Sequence, residues 1–542
     1  VNPKVKPDSP AAVFAALSLQ EKIGQMLMAG FPGPRLPDDF RRSLQLGEAG
    51  AVMLLHDNVE SIDQVVALTN EIHGCRAPAP MIWTDQEGGN VVQFGEIAAT
   101  TLSAMGLAAT GKPSYARSAG RIMGRELSAL GVDGVFAPVL DVNTRPDNPI
   151  IGFRAFSDDS RVVSRFGAAL AAGWRSAGVA TCGKHFPGHG GVAVDSHLDR
   201  PECAASQQEM KQVHLAPFRF LIRRGLLDAV MPAHVVFSQA AGEIASLSPY
   251  WLTQVLRREF GFSGLVISDC LEMGAVSRFI DPAEAAVQGV LAGADLVMVS
   301  RSAPIRAQVF SALVAATEQG RIPMTRVDEA VTRVLKLKHR RSLLRLAAPL
   351  KSDQAGMRAR SRYRDEYRMA VASITLVRDR DRSLPLDPDR SLLLLEWKKV
   401  VATEALSRAE PRQVLAVPLS RWFHRFETVM LELVPDLEPA MERRLRAVDQ
   451  VVVAVFSRSP QAEAIQAAAV NRVLDIRPDA IVVALGNPYD LRLFPGARTY
   501  LATYGYRRVQ ARAAAAVLAG EARPRGRLPV RIFPSEKQGG KR

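Results

Sequence analysis

This 542-residue sequence predicts an α/β fold: an N-terminal (β/α)8 barrel of the TIM type, then a C-terminal α/β/α sandwich domain. Three observations lead there. Eight short β-type runs alternate with helical patterns over about the first 300 residues, close to the roughly 250 typical of such a barrel. Asp85, Asp141, Lys184 with His185, His234 and Asp269 all stand at or just past the carboxyl end of one of those runs. In a closed parallel barrel that puts them on one rim. A second, shorter series of apolar β-branched runs follows near the carboxyl end of the chain, as in a buried sheet covered on both faces. An open doubly wound sheet is the competing arrangement for the first part.

Taken in order, Ser18-Leu19-Gln20-Glu21 has capping-box spacing and opens a helix. The barrel strands are expected at 26–31, 51–55, 81–85, 134–139, 179–184, 229–234, 265–269 and 296–299. Ser248-Pro249 and Asp281-Pro282 each set an N-cap residue before a Pro at the first helical turn. An amphipathic helix with a basic tail is expected over 327–346. The polar, Arg-rich stretch that follows reads as a connector. The boundaries are therefore 1–346 for the barrel, 347–370 for the linker and 371–542 for the sandwich. Strands of the second sheet are expected at 374–377, 391–397, 414–418, 451–456, 480–485 and 500–504, with an Ala-rich helix at 509–518.

Composition narrows the function classes. With 47% hydrophobic and 23% charged residues, the chain is that of a globular protein. No apolar run is long enough to span a bilayer. The first ten residues carry no signal-peptide pattern, and a chain beginning at Val is compatible with a cytoplasmic protein or with a secreted one already processed. Most of the +14 net charge lies beyond residue 346, scattered among acids rather than interleaved with aromatics. That suits a solvated surface better than a nucleic-acid footprint. Cys75, Cys182, Cys203 and Cys270 form no CxxC pair and read as free thiols rather than a disulfide framework. No phosphate-binding Gly loop accompanies either series of strands.

The chemistry concentrates in Lys184-His185-Phe186-Pro187-Gly188-His189 and onward to Asp195-Ser196-His197, which holds three of the chain's nine histidines. It reads as a strand end opening into a long ordered loop. Asp195 and His197, two apart in an extended segment, project to the same side. A carboxylate beside an imidazole fixes its tautomer and raises its pKa, which suits proton transfer near neutrality. Metal ligation by His185, His189, His197 and Asp195 is the alternative, but no regular metal-binding spacing supports it. Asp269 ends an almost wholly apolar strand and is suited either to attack an electrophilic sugar carbon or to cap the next helix. Asp85, on the Gly-tightened turn Asp85-Gln86-Glu87-Gly88-Gly89, is fit to accept sugar hydroxyl protons or to be a plain turn residue.

Thr84–Gly89, Lys184–His197, Val230–His234 and Ile267–Asp269 together resemble glycoside hydrolase family 3, in the two-domain form of its β-N-acetylglucosaminidase (NagZ-type) branch. Leu485-Gly486-Asn487-Pro488-Tyr489-Asp490 and Gly526–Val530 resemble that form's C-terminal domain. The resemblance implies a retaining exo-β-N-acetylglucosaminidase acting on peptidoglycan fragments or chitooligosaccharide ends, without metal or cofactor. It implies Asp269 as nucleophile, His197 as general acid and then base, and Asp195 as its partner. Asp85, Arg154, Lys184 and His185 would hold the sugar, with Gln93 and His234 beside them. At positions 90 and 93 the family carries Arg, whereas this chain has Asn90 and Gln93. A neutral imidazole repels an incoming anion less than a carboxylate does, so phosphate is an alternative acceptor to water. A β-glucosidase or β-xylosidase of the same family and an inactive carbohydrate-binding barrel are the other readings. The expected partner is a carbohydrate; neither nucleic acid nor a membrane is expected, and a monomer is favoured.

Overall fold

The structure is a computed structural model that describes residues 9–95, 97–196, 199–346, 349–351, 359–397, 413–432, 437–456 and 460–533. Eight parallel strands close into a barrel: β1 (Leu27–Ala29), β2 (Ala51–Leu54), β3 (Met81–Thr84), β4 (Gly134–Val135), β5 (Ala180–Phe186), β6 (Ala229–Pro232), β7 (Leu265–Cys270) and β8 (Leu296–Val299). Each pairs with its neighbours in the chain, and β8 returns to β1. All eight expected strands are present. β4 is shorter than expected, continuing only as a single bridge from Val139 to Lys184. Pro138 has no N–H to give a ladder, and its carbonyl instead accepts the Lys184 N–H at 3.1 Å.

The strands are apolar on both faces because both are covered. Met28, Met53, Met81, Trp83, Phe136, Cys182, Met231, Ile267 and Met298 point inward and fill the barrel. The residues between them, such as Val52, Ile82, Val135, Val230, Val266 and Val297, pack outward against the helices. Trp83 and Phe136 stack with centroids 5.3 Å apart. A Cβ on Gly134 would lie 2.5 Å from the Trp83 ring, so that close layer requires glycine.

At the barrel's lower end one device occurs three times. Asp133, Asp228 and Asp295 each precede a strand and accept an N–H from the strand before: Ile82 at 2.8 Å, Thr181 at 3.2 Å and Val266 at 2.9 Å. Each carboxylate also meets cationic or imidazole side chains. His73 reaches Asp133, Arg175 reaches Asp228, and Arg257, Arg326 and Arg333 converge on Asp295. A buried carboxylate is stable only with such partners.

The second sheet comprises β9 (Thr375–Asp379), β10 (Leu392–Trp397), β11 (Phe426–Leu431), β12 (Gln450–Val455), β13 (Ile481–Ala484) and β14 (Thr499–Ala502), in the order β9-β14-β13-β12-β10-β11. Only the pairing of β9 with β14 is antiparallel. Helices Pro439–Ala447 and Pro460–Ile476 cover one face through Leu445, Val470 and Val473. Helix Arg508–Leu518 covers the other through Val509, Ala513 and Val517. The α/β/α sandwich is therefore as expected.

Two local expectations are corrected, the strand at 414–418 and the Ser248 cap, and the connector carries an element of its own. Residues 414–418 are not a strand: Ala416–Leu419 is a short helix, and the Leu415 N–H is taken by the buried Glu396 carboxylate at 2.8 Å. The strand in that region is β11. The 347–370 connector carries a helix, Ala359–Ser373, which packs on helix Arg508–Leu518. Arg512 donates to the Tyr363 hydroxyl at 3.0 Å there and lies over the Tyr367 ring. Ser248 does not cap its helix, since its hydroxyl makes no hydrogen bond among the described residues. Ser18 and Asp281 do cap theirs. All four cysteines are free, Cys182 and Cys203 fully buried. Among the described residues no helix is long and apolar enough to cross a membrane.

Candidate active site

Asp85 follows β3 directly, and the chain then doubles back through a hairpin of Gln86–Gly88 and Val91–Val92. Asp85 and Glu87, two apart in extended backbone, both reach Lys184 in β5. The Lys184 Nζ lies 2.6 Å from Asp85 Oδ1 and 2.6 Å from Glu87 Oε1. Arg154, in the tight turn Gly152–Arg154, grips Glu87 with both arms: Nε to Oε2 at 2.9 Å and Nη2 to Oε1 at 2.8 Å. All but Asp85 are nearly closed to solvent. Burial alone would raise the Glu87 pKa, but the charges of Arg154 and Lys184 outweigh it and hold it at about 2. Burial likewise opposes the charges of Arg154 and Lys184, and the carboxylates beside them win, raising both.

Asp141 sits under a second group. It is fully buried and accepts three bonds: His185 Nδ1–H at 2.7 Å, the His185 N–H at 3.2 Å and the His189 N–H at 2.7 Å. Burial would raise its pKa, and the imidazoles and amides pull it below its ordinary value. The bond to Nδ1 fixes the His185 tautomer and turns the other nitrogen away from Asp141. His189 is buried and beside His185, which together push its pKa to about 4, so its ring is neutral near pH 7. Its Nε2 meets the Ser196 hydroxyl at 3.0 Å.

That bond brings the end of the long loop inward. Asp195 is buried, and the Ser196 carbonyl accepts the Ala275 N–H at 3.1 Å. Ala275 belongs to the short helix Gly274–Ser277, which follows β7 by a few residues. His197, expected as the acid/base, lies outside the described residues.

Asp269 is the penultimate residue of β7 and is half-buried. Its Oδ1 accepts the N–H of Cys270 at 2.8 Å. It does not cap the next helix: the N-cap there is Met273, without a side-chain bond. Glu272 braces the same turn by accepting the N–H groups of Ser300, Arg301 and Ser302 at 2.7, 3.0 and 2.9 Å.

Two expected sugar contacts have other neighbours. His234 places Nδ1 2.6 Å from the Ser246 hydroxyl and Nε2 3.1 Å from the Cys270 carbonyl. Since a carbonyl only accepts, Nε2 carries hydrogen there, and the ring supports the end of β7. Gln93 is buried; its side-chain oxygen accepts the His56 N–H at 2.9 Å, and its backbone N–H goes to the Asp85 carbonyl at 3.1 Å. Asn90 is buried with neither amide atom hydrogen-bonded among the described residues. Asp85, Lys184, Arg154 and His185 thus converge on the mouth through Glu87 and Asp141. The motif containing Glu87 drew attention to Asp85 alone, although the two-residue spacing put both on one side. Asp141 was visible as a strand-end carboxylate but had no assigned task.

The arrangement has counterparts among known proteins. The pattern of the glycosyl hydrolase family 3 N-terminal domain matches residues 18–337. A β-hexosaminidase of Methylococcus capsulatus is 40% identical over 287 residues, covering 52% of this chain and 84% of that protein. A family 3 β-N-acetylglucosaminidase structure from a Paenibacillus species is 34% identical with a TM-score of 0.89, covering 95% of this chain and 99% of the other. The structure of a β-glucoside phosphorylase, BglX, is 25% identical with a TM-score of 0.84, covering 98% and 97%. The expected family, and proteins of its β-N-acetylglucosaminidase branch, are among those found.

Proposed function

The chain belongs to glycosyl hydrolase family 3 and is a glycoside hydrolase, and from that premise we propose that it is a retaining exo-β-N-acetylglucosaminidase. Its substrates would be peptidoglycan fragments or chitooligosaccharides, cut at their terminal N-acetylglucosamine. The Methylococcus and Paenibacillus relatives support the sugar. The observation that carries the mechanism is the bond from Ala275 N–H to the Ser196 carbonyl. It ties the Asp195 end of the loop to the turn that follows Asp269, which supports a site shared by the two ends.

In this reading Asp269 attacks the anomeric carbon while His197 protonates the departing glycosidic oxygen. A covalent glycosyl-enzyme forms with inversion. His197, now the base, takes a proton from water, whose oxygen attacks the same carbon with a second inversion. Asp195 orients the imidazole and stabilises its charged form. Asp85, Arg154, Lys184 and His185 hold the sugar. Asp269→Asn should lower kcat by a factor on the order of 10⁴, measured on 4-nitrophenyl N-acetyl-β-glucosaminide.

The substrate assignment is tested by comparing that compound with 4-nitrophenyl β-glucoside. A higher kcat/KM for the glucoside would overturn it. Phosphate as acceptor is the second reading, favoured by the likeness to a β-glucoside phosphorylase. Sugar 1-phosphate formed in proportion to added phosphate would establish it, and its absence would leave water as the acceptor.

A further inference from the structure

Three loops at the barrel mouth carry the groups around Glu87 and Asp141, and each is tied to the second domain. The Phe153 N–H, next to Arg154, donates to Asn487 Oδ1 at 2.9 Å. Gly152 has φ of +46°, and a Cβ there would come within 2.6 Å of that same oxygen, so the turn is shaped to admit Asn487. Asn487 opens the helical turn Pro488–Leu493 yet makes no side-chain bond to it; the amide is directed to the barrel instead. Two residues on, the Tyr489 hydroxyl accepts Asn143 Nδ2–H at 3.1 Å, and Asn143 lies two residues past Asp141. Arg507, just ahead of helix Arg508–Leu518, donates from Nε to the Gly89 carbonyl at 3.0 Å, in the hairpin that holds Glu87. Phe153, Tyr489, Tyr504 and Val530 close one apolar cluster behind these bonds.

A guanidinium gripping a carboxylate by two parallel bonds tolerates little displacement of either backbone, and an error of about 1 Å in such a group costs on the order of 10²-fold in kcat/KM. We propose that Asn487 and Arg507 of the second domain are positioning residues for sugar binding. Asn487 sets the turn that aims Arg154, and Arg507 sets the hairpin that presents Asp85 and Glu87. The inference rests on the reading that these groups hold the sugar. It gives the Gly486-Asn487-Pro488-Tyr489 motif a task at the active site without contact to substrate.

The test uses the full-length protein and whichever nitrophenyl β-glycoside the wild type cleaves fastest. Asn487→Leu removes the acceptor and Asn487→Asp restores it; Arg507→Met removes the donor and Arg507→Lys restores one. Groups that grip the sugar in ground and transition states alike act on KM more than kcat. Asn487→Leu and Arg507→Met should therefore each raise KM about tenfold or more with kcat little changed. The Asp and Lys variants should recover most of that loss. Hydrogen exchange should quicken in residues 150–156 for Asn487→Leu and in residues 86–93 for Arg507→Met. Wild-type KM and wild-type exchange in both variants would overturn the proposal. Should Asn487→Leu fail to fold, Arg507→Met and its exchange decide alone. A wild type that prefers the glucoside refutes the substrate assignment above while leaving this comparison intact, and exchange reads the tethers even where no glycoside is cleaved.

Discussion

Glu87 keeps its charge far into acid because two cations face it inside the protein. Its carboxyl has a folded pKa of about 2, against roughly 4.3 in an unfolded chain. The stabilisation is therefore complete above about pH 4.3 and is lost as pH falls through about 2. Glu87→Gln leaves Arg154 and Lys184 buried with half their compensation and should cost about 3 kcal/mol. Its melting temperature should lie below that of the wild type at about pH 6, with the gap narrowing as pH falls below roughly 4.3 toward about 2. A gap independent of pH would show that packing, not charge, sets the cost. Around this residue the sequence was legible where a motif crowds several titratable groups, as from Lys184 to His197. It was less so where the charge needed a distant partner. Nothing near Arg154 in the chain says that its carboxylate is Glu87, because a 67-residue separation is closed only by the barrel.

At the scale of elements, the barrel strands were readable because both faces are apolar and their rim ends are polar. The helix Ala359–Ser373 was not, because its stability comes from packing against helix Arg508–Leu518 rather than from an amphipathic pattern of its own. The 414–418 segment has the composition of a strand, yet the Glu396 carboxylate takes a backbone N–H that a ladder would need. Helix Met324–Arg340 closes the barrel floor with Val334 and Leu337 and carries the fully buried Lys338. The Lys338 Nζ donates to Gln25 Oε1 at 2.6 Å. Burial, with Arg76 nearby and only partial help from Asp133, lowers its pKa to about 7. Between about 7 and roughly 10.4 the unfolded chain holds a proton that the folded one has released, so stability rises with pH across that window. The melting temperature of the wild type relative to Lys338→Met should therefore increase from pH 6.5 to pH 9. A constant difference would mean that Lys338 stays charged in the fold.

For the whole molecule, one apolar cluster runs through the helix layer of the barrel and on to one face of the second sheet. We propose the expected division of the chain with one amendment, that the helix Ala359–Ser373 belongs with helix Arg508–Leu518, on which it packs. Because the two parts share buried surface and three loop tethers, heating should unfold them in a single calorimetric transition. Two separated peaks would show that the shared surface is too weak to couple them. The barrel's interior has one more implication. Met28, Met53, Met81, Met231 and Met298 line it, none more than 3% exposed. Thioether sulfur reacts with peroxide only where the reagent can reach it. In dilute hydrogen peroxide, sulfoxide should accumulate at these five positions no faster than the strands part, so peptide mass spectrometry of the oxidised chain would serve as a clock for barrel opening.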